Sequence, residues 1–337
     1  MALLEIKDLC IAIATQDGLK PVVQDISMQL EVGQTLGIVG ESGCGKSITA
    51  LVLMGLTEGT QIRITGGSIG FDGQDLLTLS AAQRRELMGN RMAMIFQEPM
   101  TSLNPVYRVG AQIVEAIQQH KSCSTQAAYQ KAEELLRQVG IPESAKRLQS
   151  YPHQLSGGMR QRVMIAMALS CEPLLLIADE PTTALDVTIQ AQILQLLKDL
   201  QQERGMALIL ISHDLGAIAN MARDTLVMYR GTVVEAAATQ ELFAAPGHPY
   251  TQGLLGSIPD PDHKVDELAT IPGRVPMMGE HVSGCQFHPR CSYATDECRN
   301  KTAPKLGTDH LVYCHHPLTN STHQTLNWLF LNYRDEF

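Results

Sequence analysis

Short apolar runs along the first 240 residues predict the strands of the chain. Leu3–Leu9 and Ile26–Leu30 alternate apolar and polar positions, as half-buried strands do. Gly66-Gly67 introduces a further strand, Ser68–Phe71, and Asp72-Gly73 after it is a turn signal. Runs that are apolar throughout predict buried strands at Thr35–Val39, Met92–Phe96, Leu174–Glu180 and Ala207–Ile211. A last hairpin is expected around Arg230-Gly231.

Segments of helical periodicity separate these strands. They are Ser47–Leu56, Gly110–His120, Gln126–Val139, Met159–Leu169 and Ile189–Arg204. From Glu98 to Leu155 helical patterns replace strands altogether, which predicts an α/β core interrupted by a helical insert. Beyond His248-Pro249-Tyr250 prolines and glycines become frequent and the periodicity fades, so a separate C-terminal element is expected there.

Charge and hydropathy indicate where in the cell the protein is expected to act. The net charge of −9 argues against a protein that coats nucleic acid, because such proteins carry a basic surface. No window offers the roughly 18 uninterrupted apolar residues of a membrane span. The N-terminus has no basic region followed by an apolar run, so no signal peptide is predicted. We expect a cytosolic protein whose membrane role, if it has one, depends on partners.

A complete phosphate-binding loop follows the strand Thr35–Val39. Its residues are Gly40, Glu41, Ser42, Gly43, Cys44, Gly45, Lys46 and Ser47. The glycines let successive N–H groups turn towards the phosphates, and the helix that follows adds the positive end of its dipole. Lys46 is expected to neutralise the β- and γ-phosphates, and Ser47 to ligate Mg²⁺. The pattern therefore predicts a nucleotide site.

Two acids at the end of the strand Leu174–Glu180 are candidates for the chemistry. Asp179 lies where α/β proteins bind their ligands, and it is expected to hold Mg²⁺ or its bound water. Glu180 points differently because it is the next residue, which suits a general base that polarises the attacking water. A solvated strand end is the alternative, and the presence of Lys46 and Ser47 disfavours it.

A Ser-Gly-Gly segment before the acidic strand indicates a second anion site. It consists of Leu155, Ser156, Gly157, Gly158 and Met159. Ser156 and the N–H groups of the two glycines open a helix, where anions bind favourably. A plain helix cap is the simpler interpretation when the segment is considered alone.

Over residues 3–255 the chain resembles the ATPase subunits of ATP-binding-cassette (ABC) transporters. The resemblance assigns Leu155–Met159 as the signature motif, which contacts the γ-phosphate held by a second chain packed head to tail. It assigns Thr183-Ala184-Leu185-Asp186 as the loop that contacts that chain, with Asp186 at the site. Gln97 corresponds to the glutamine that senses the γ-phosphate and ligates Mg²⁺, and His213 to the switch histidine that orients the water.

This resemblance implies a domain organisation. Residues 1–255 would form an ABC-type P-loop NTPase of α/β class, with an antiparallel β subdomain and a helical subdomain inserted at about residues 98–160. Residues 256–337 would form a small C-terminal extension that carries four cysteines, Cys285, Cys291, Cys298 and Cys314.

Three further segments resemble one branch of the family, the dipeptide, oligopeptide and nickel importers. They are Glu98–Pro105, Tyr151–Gln154 and His248–Thr251. The branch implies an ATP-hydrolysing subunit, peripheral to the cytoplasmic face of a bacterial inner membrane, that drives uptake of di- or oligopeptides. Its expected partners are two permeases, a second ATPase of paralogous sequence and an extracytoplasmic substrate-binding protein. Nickel or another small solute is the alternative cargo. A soluble ABC ATPase of DNA repair or translation is disfavoured by the single cassette and the negative charge.

The spacing of the four C-terminal cysteines does not identify a metal. Zinc sites usually pair cysteines two to four residues apart, and no such pair occurs among Cys285, Cys291, Cys298 and Cys314. Bacterial ferredoxin spacing is also absent. The resemblance to the peptide-importer branch implies that these cysteines hold a 4Fe–4S cluster. Zinc and reduced, unliganded thiols are the alternatives.

Overall fold

The computed structural model describes residues 2–97, 102–183, 185–258, 270–277 and 279–318. Part of Glu98–Pro105, Ala184 and much of the predicted extension lie outside these residues. The strands are β1 (Leu4–Thr15), β2 (Gly18–Leu30), β3 (Thr35–Val39), β4 (Ile62–Phe71), β5 (Gln74–Asp75), β6 (Met92–Ile95), β7 (Leu175–Asp179), β8 (Ala207–Ile211), β9 (Asp224–Tyr229), β10 (Thr232–Ala238), β11 (Lys305–Leu306) and β12 (Leu311–Tyr313). The α-helices are α1 (Lys46–Leu53), α2 (Ala81–Leu87), α3 (Val109–His120), α4 (Thr125–Gln138), α5 (Ser144–Arg147), α6 (Gly157–Ala168), α7 (Val187–Arg204), α8 (Leu215–Met221), α9 (Thr239–Ala244), α10 (Pro249–Gly256) and α11 (Asp296–Asn300), with 3₁₀ turns at Pro152–Gln154 and His288–Arg290.

A small antiparallel sheet has the strand order β2-β1-β4-β5. The turn predicted at Asp72-Gly73 joins β4 to β5, and its two residues have φ of 48° and 77°. Both values lie in the left-handed region that a tight two-residue hairpin turn requires. The first strand is longer than its sequence pattern predicts, because β1 continues past Leu9 to pair with β2 as far as Thr15.

A larger sheet of eight strands carries the chemistry, in the order β11-β12-β10-β9-β3-β8-β7-β6. Strands β9, β3, β8, β7 and β6 run parallel to one another, whereas β10 pairs antiparallel with β9, and β3, β7 and β8 are buried at every residue. Such burial explains why their sequences are continuous apolar runs. The carboxyl ends of the parallel strands meet at one edge of the sheet, where ligands bind in α/β folds.

The helical insert packs through α3, α4 and α6, which contact one another. Ile113, Leu135 and Ile165 are fully or almost fully buried in the shared core. Gly110 allows the start of α3 to approach the C-terminal end of α5, since a Cβ there would lie 2.8 Å from the Leu148 carbonyl oxygen. In the described part of the chain, no helix is long and apolar enough to cross a membrane.

The C-terminal region is built onto the core sheet. Strand β12 pairs antiparallel with β10 through Glu235↔Val312 and Ala236↔Leu311, and β11 pairs with β12. At this junction the Glu235 carboxylate is fully buried and accepts hydrogen bonds from the Gly247 and His248 N–H groups, at 2.6 and 2.9 Å. His310 Nε2 lies 2.6 Å from the same carboxylate. The region beyond residue 255 therefore shares its core with the cassette.

Two histidines at this junction should give opposite pH dependences. Burial lowers the pKa of His248 from 6.5 to about 4, and its Nδ1 accepts the Tyr250 N–H at 3.0 Å. Because the folded pKa is depressed, the stability that neutral His248 contributes is present above pH 6.5 and is lost as the pH falls towards 4. The loss between pH 7 and 5 is expected to be on the order of 2 kcal/mol. His248→Asn, whose Oδ1 can replace Nδ1 as acceptor, should flatten this limb in urea unfolding curves.

His310 serves as the internal control. The hydrogen bond to Glu235 raises the pKa of His310 above 6.5, so its contribution is fully present below pH 6.5 and is lost as the pH rises through that raised value. His310→Gln should therefore alter only the upper limb of the profile. Identical acid limbs in wild type and His248→Asn would contradict the assignment of that limb to His248.

Candidate active site

The loop between β3 and α1 has a backbone that only glycine can adopt at its tightest points. Gly40 has φ of 151°, and a Cβ there would lie 2.2 Å from the Met228 carbonyl oxygen. Gly45, with φ of 104°, immediately precedes α1. The Lys46 side chain is buried and donates hydrogen bonds to the carbonyl oxygens of Gly40, at 2.6 Å, and Glu41, at 3.1 Å. The loop is therefore wrapped around the lysine ammonium, where phosphates would bind.

Ser47 and Asp179 come together although 132 residues separate them. The Ser47 hydroxyl donates to Asp179 Oδ1 at 3.1 Å, at the end of β7. Burial raises the pKa of Asp179, and the hydrogen bond from Ser47 opposes that shift. A hydroxyl and a carboxylate beside a phosphate loop are oxygen ligands that suit Mg²⁺, so these residues fit the metal that the sequence predicts.

Glu180 is the centre of a second group of polar side chains. Its φ of 48° is in the left-handed region, so the backbone turns sharply after Asp179. Glu180 Oε2 accepts hydrogen bonds from Gln97 Nε2 at 3.0 Å and from the Thr183 hydroxyl at 2.9 Å. His213 Nδ1 lies 3.2 Å from the same oxygen. The structure thus brings together the three residues that the sequence selects as catalytic.

Thr183 contacts the site although no sequence motif assigns it a role there. It lies in the segment Thr183–Asp186, for which the sequence predicts only a contact with a second chain. The hydroxyl of Thr183 also holds Glu180 from three residues away. The available signal was its position directly after the acidic strand, on the turn that begins at Glu180.

The signature segment forms a packed unit with α7. Ser156 caps α6 by accepting the Met159 N–H at 3.3 Å, and Asp186 caps α7 by accepting the Ile189 N–H at 3.0 Å. A Cβ on Gly158 would lie 2.8 Å from Ile189 Cγ2, so the glycine lets the start of α6 approach α7 closely. Leu155 is buried beneath this unit, whereas Ser156 and Gly157 are exposed.

Within the part of the chain that the structure describes, the two predicted anion sites are separate. In the described residues no hydrogen bond or ion pair connects Leu155–Met159 or Asp186 with Gly40–Ser47. The exposed N-terminus of α6 is instead open to contact from outside the chain. That the signature acts on a nucleotide held by another chain stays a prediction.

The comparisons with known sequences agree with the geometry. A family model described as "ABC transporter" matches residues 23–183, and one described as "Oligopeptide/dipeptide transporter, C-terminal region" matches residues 234–298. The dipeptide transport ATP-binding protein DppD of Escherichia coli (strain K12) is 49% identical over 97% of this chain and 100% of its own length. The oligopeptide transport ATP-binding protein OppD of Salmonella typhimurium is 50% identical, over 90% of each chain.

Solved structures support the same fold. The ATP-binding cassette MJ0796, in a dimeric post-hydrolysis state bound to ADP and Pi, superposes with a TM-score of 0.63. The match covers 70% of this chain and 98% of that one at 24% sequence identity. The cbiO1 protein of Clostridium perfringens, part of the cbiONQ transporter complex, gives a TM-score of 0.60 at 26% identity, over 72% of this chain and 91% of its own.

The prediction of a 4Fe–4S cluster is contradicted by these findings. The four cysteines Cys285, Cys291, Cys298 and Cys314 do line one pocket, but no three metal-ligating side chains in the described residues are arranged to hold a metal ion. The relatives are described as transport ATP-binding proteins and not as iron–sulfur proteins. The described residues offer no support for the zinc alternative either.

The assignment of the family thus follows from two kinds of observation. The phosphate loop, the Ser47–Asp179 pair and the group around Glu180 form one site at the edge of the parallel sheet. The sequence match extends across almost the whole chain. The chain belongs to the ATPase subunits of ABC transporters, and it carries the C-terminal region found in the oligopeptide and dipeptide transporters.

Proposed function

We propose that this chain hydrolyses ATP to drive the uptake of di- or oligopeptides across the cytoplasmic membrane. ATP hydrolysis is supported by one observation: Gln97, Thr183 and His213 all contact the carboxylate of Glu180. The solute is inferred from the two curated relatives, which transport dipeptides and oligopeptides.

Each side chain of the site has a role that its contacts support. The phosphate loop and Lys46 bind the ATP phosphates. Ser47, Asp179 and Gln97 hold Mg²⁺, which when bound offsets negative charge on the phosphates. Gln97 can serve both groups at once, because Nε2 donates to Glu180 and the amide leaves Oε1 available for the metal.

Glu180 is the general base in this proposal. Its carboxylate accepts the proton of the attacking water, and Thr183 and His213 keep it in the orientation needed to do so. The left-handed backbone at Glu180 separates its side chain from that of Asp179, so one acid serves the metal and the other the water. His213 has a positioning role, since its Nδ1 lies 3.2 Å from Glu180 Oε2.

A second ATPase chain completes the site. Ser156 with the N–H groups of Gly157 and Gly158 at the N-terminus of α6 contacts the γ-phosphate bound by the partner, and Asp186 lies at the contact. We propose that the partner is a paralogue. The pair associates with two permeases at the cytoplasmic face of the membrane, and an extracytoplasmic binding protein delivers the peptide.

Reconstitution tests this function. The chain is copurified with its permeases, identified by mass spectrometry, and placed in proteoliposomes that contain the binding protein. We expect an unlabelled dipeptide to stimulate ATP hydrolysis and a labelled dipeptide to accumulate only with ATP. Stimulation by Ni²⁺ and not by peptides would assign the alternative cargo. Recovery of the chain without any permease, in a soluble complex with nucleic acid, would contradict an importer of either kind.

A further inference from the structure

An arginine of the C-terminal region reaches the phosphate loop. Arg290 ends the 3₁₀ turn His288–Arg290, and its side chain is 5% exposed. Nη1 donates to Glu41 Oε2 at 2.6 Å, and Nη2 donates to Glu41 Oε1 at 3.1 Å. The two parallel bonds form the forked arrangement that makes arginine–carboxylate pairs strong and directional. The second residue of the loop is therefore gripped by a residue that lies 249 positions further along the chain.

Arg290 is itself held in place by its surroundings. Its Nε donates to the Pro272 carbonyl oxygen at 2.9 Å, and Nη2 reaches the Ile271 carbonyl oxygen at 3.4 Å. The guanidinium carbon lies 5.9 Å from the centre of the Tyr229 ring, at the end of β9. With its head group fixed by these contacts, Arg290 has few alternative positions, so it can orient the carboxylate that it binds.

The main chain of Glu41 is also held at both of its polar groups. The Glu41 N–H donates to the hydroxyl of Tyr250 at 2.9 Å, and the Glu41 carbonyl accepts from Lys46 Nζ at 3.1 Å. Tyr250 lies at the start of α10 and is fully buried. A continuous set of contacts thus runs from Arg290 through Glu41 to the ammonium of Lys46.

We propose that Arg290 is a positioning residue of the ATP site, through which the C-terminal region sets the conformation of the phosphate loop. The inference rests on the proposed function, since it assumes that the loop binds ATP. Removing Glu41 leaves the buried guanidinium of Arg290 without a counter-charge, and removing Arg290 frees the part-exposed Glu41 carboxylate from its fork, so in either case the loop is expected to shift. The N–H groups and Lys46 would then no longer be preorganised for the phosphates. The C-terminal region then contributes directly to nucleotide binding, in addition to any contact with the membrane partners.

The test measures ATP and ADP binding to the purified full chain in the presence of Mg²⁺. Glu41→Gln and Arg290→Gln are each expected to weaken the binding of both ATP and ADP about tenfold, because the loop contacts the phosphates that the two nucleotides share. Arg290→Lys keeps the charge but loses the fork, and should lie between wild type and Arg290→Gln. Arg299→Gln is the matched control: this arginine of the same region also forms an ion pair, with Asp296 at 2.9 Å, but it is 57% exposed. Its nucleotide affinity should stay within about twofold of wild type.

The double variant Glu41→Gln/Arg290→Gln separates positioning from general destabilisation. If the two side chains act as a unit, its loss of affinity should be well below the product of the two single losses. Melting temperatures are recorded alongside, and Glu41→Gln, whose side chain is 30% exposed, provides the test if Arg290→Gln does not fold. Folded single variants that bind ATP like wild type, with only a lowered melting temperature, would overturn the inference. A wild-type chain that fails to bind ATP would instead contradict the proposed function, and the inference with it.

Discussion

Replacing Glu180 by glutamine is expected to lower the rate of ATP hydrolysis by about 10²–10⁴-fold, the usual contribution of a general base. The amide has the shape of the carboxylate and can still accept the hydrogen bond from Thr183, but it cannot take a proton from water. Lys46, Ser47 and Asp179 are untouched, so the affinity for ATP should change by no more than about threefold. We therefore expect a chain that binds ATP and does not turn it over.

The matched control for this experiment is Glu172→Gln. Glu172 also has a left-handed φ, of 59°, and its carboxylate contacts Lys131 at 3.3 Å on the surface. Turnover in that variant should equal wild type. Phosphate release and ATP binding are measured for both variants in the complex with the permeases. Turnover near wild type in Glu180→Gln would show that another group, or none, acts as the base.

Replacing Ser156 by alanine is expected to lower ATP hydrolysis in the assembled complex by about 10- to 100-fold, which corresponds to the loss of one hydrogen bond to a charged group. Among the described residues, the Ser156 hydroxyl caps α6 by accepting the Met159 N–H. The effect on turnover therefore depends on a γ-phosphate contributed by the partner. ATP binding to the isolated chain should be unchanged, because no contact links Ser156 to the phosphate loop in the described residues.

Ser124→Ala provides the comparison, since Ser124 caps α4 in the same way and accepts the Ala127 N–H at 3.2 Å. Both variants should lose about 1 kcal/mol of stability as the cap is removed. Only Ser156→Ala should lose hydrolysis. Equal turnover in the two variants would show that Ser156 acts as a helix cap and not as a contact with the partner's nucleotide, which is the simpler interpretation of its sequence.

Local patterns predicted much of the core sheet. Strands β3 and β8 begin and end at the residues that the apolar runs of Thr35–Val39 and Ala207–Ile211 predict. Buried parallel strands are readable in this way because both of their faces are apolar. The first strand was predicted too short, since the residues of β1 beyond Leu9 owe their strand conformation to pairing with β2 and β4. Such pairing is a tertiary effect that a local pattern does not contain.

The C-terminal cysteines show where a pattern fails. Their proximity was expected from the sequence, and the structure places them around one pocket. The prediction of a metal cluster was wrong: no three metal-ligating side chains of the described residues are arranged to hold a metal ion, and spacing along the chain does not determine that arrangement. The same region carries Arg290, which no motif selected, since its partner Glu41 lies at the other end of the chain.

By itself the sequence determined the parts of the site whose chemistry is local. Phosphates require a backbone that turns its N–H groups inward and a nearby positive charge, which the glycines and Lys46 of the phosphate loop supply. Mg²⁺ requires oxygen ligands, which the acids at and directly after the end of β7 supply. Only the tertiary structure decided which groups hold these residues in place. The Thr183 hydroxyl donates a hydrogen bond to Glu180, and Tyr250 and Arg290 both bind Glu41. Those contacts join residues brought together by sheet order and by the packing of the C-terminal region. Their energy depends on distance and burial, and a linear pattern of residue types specifies neither.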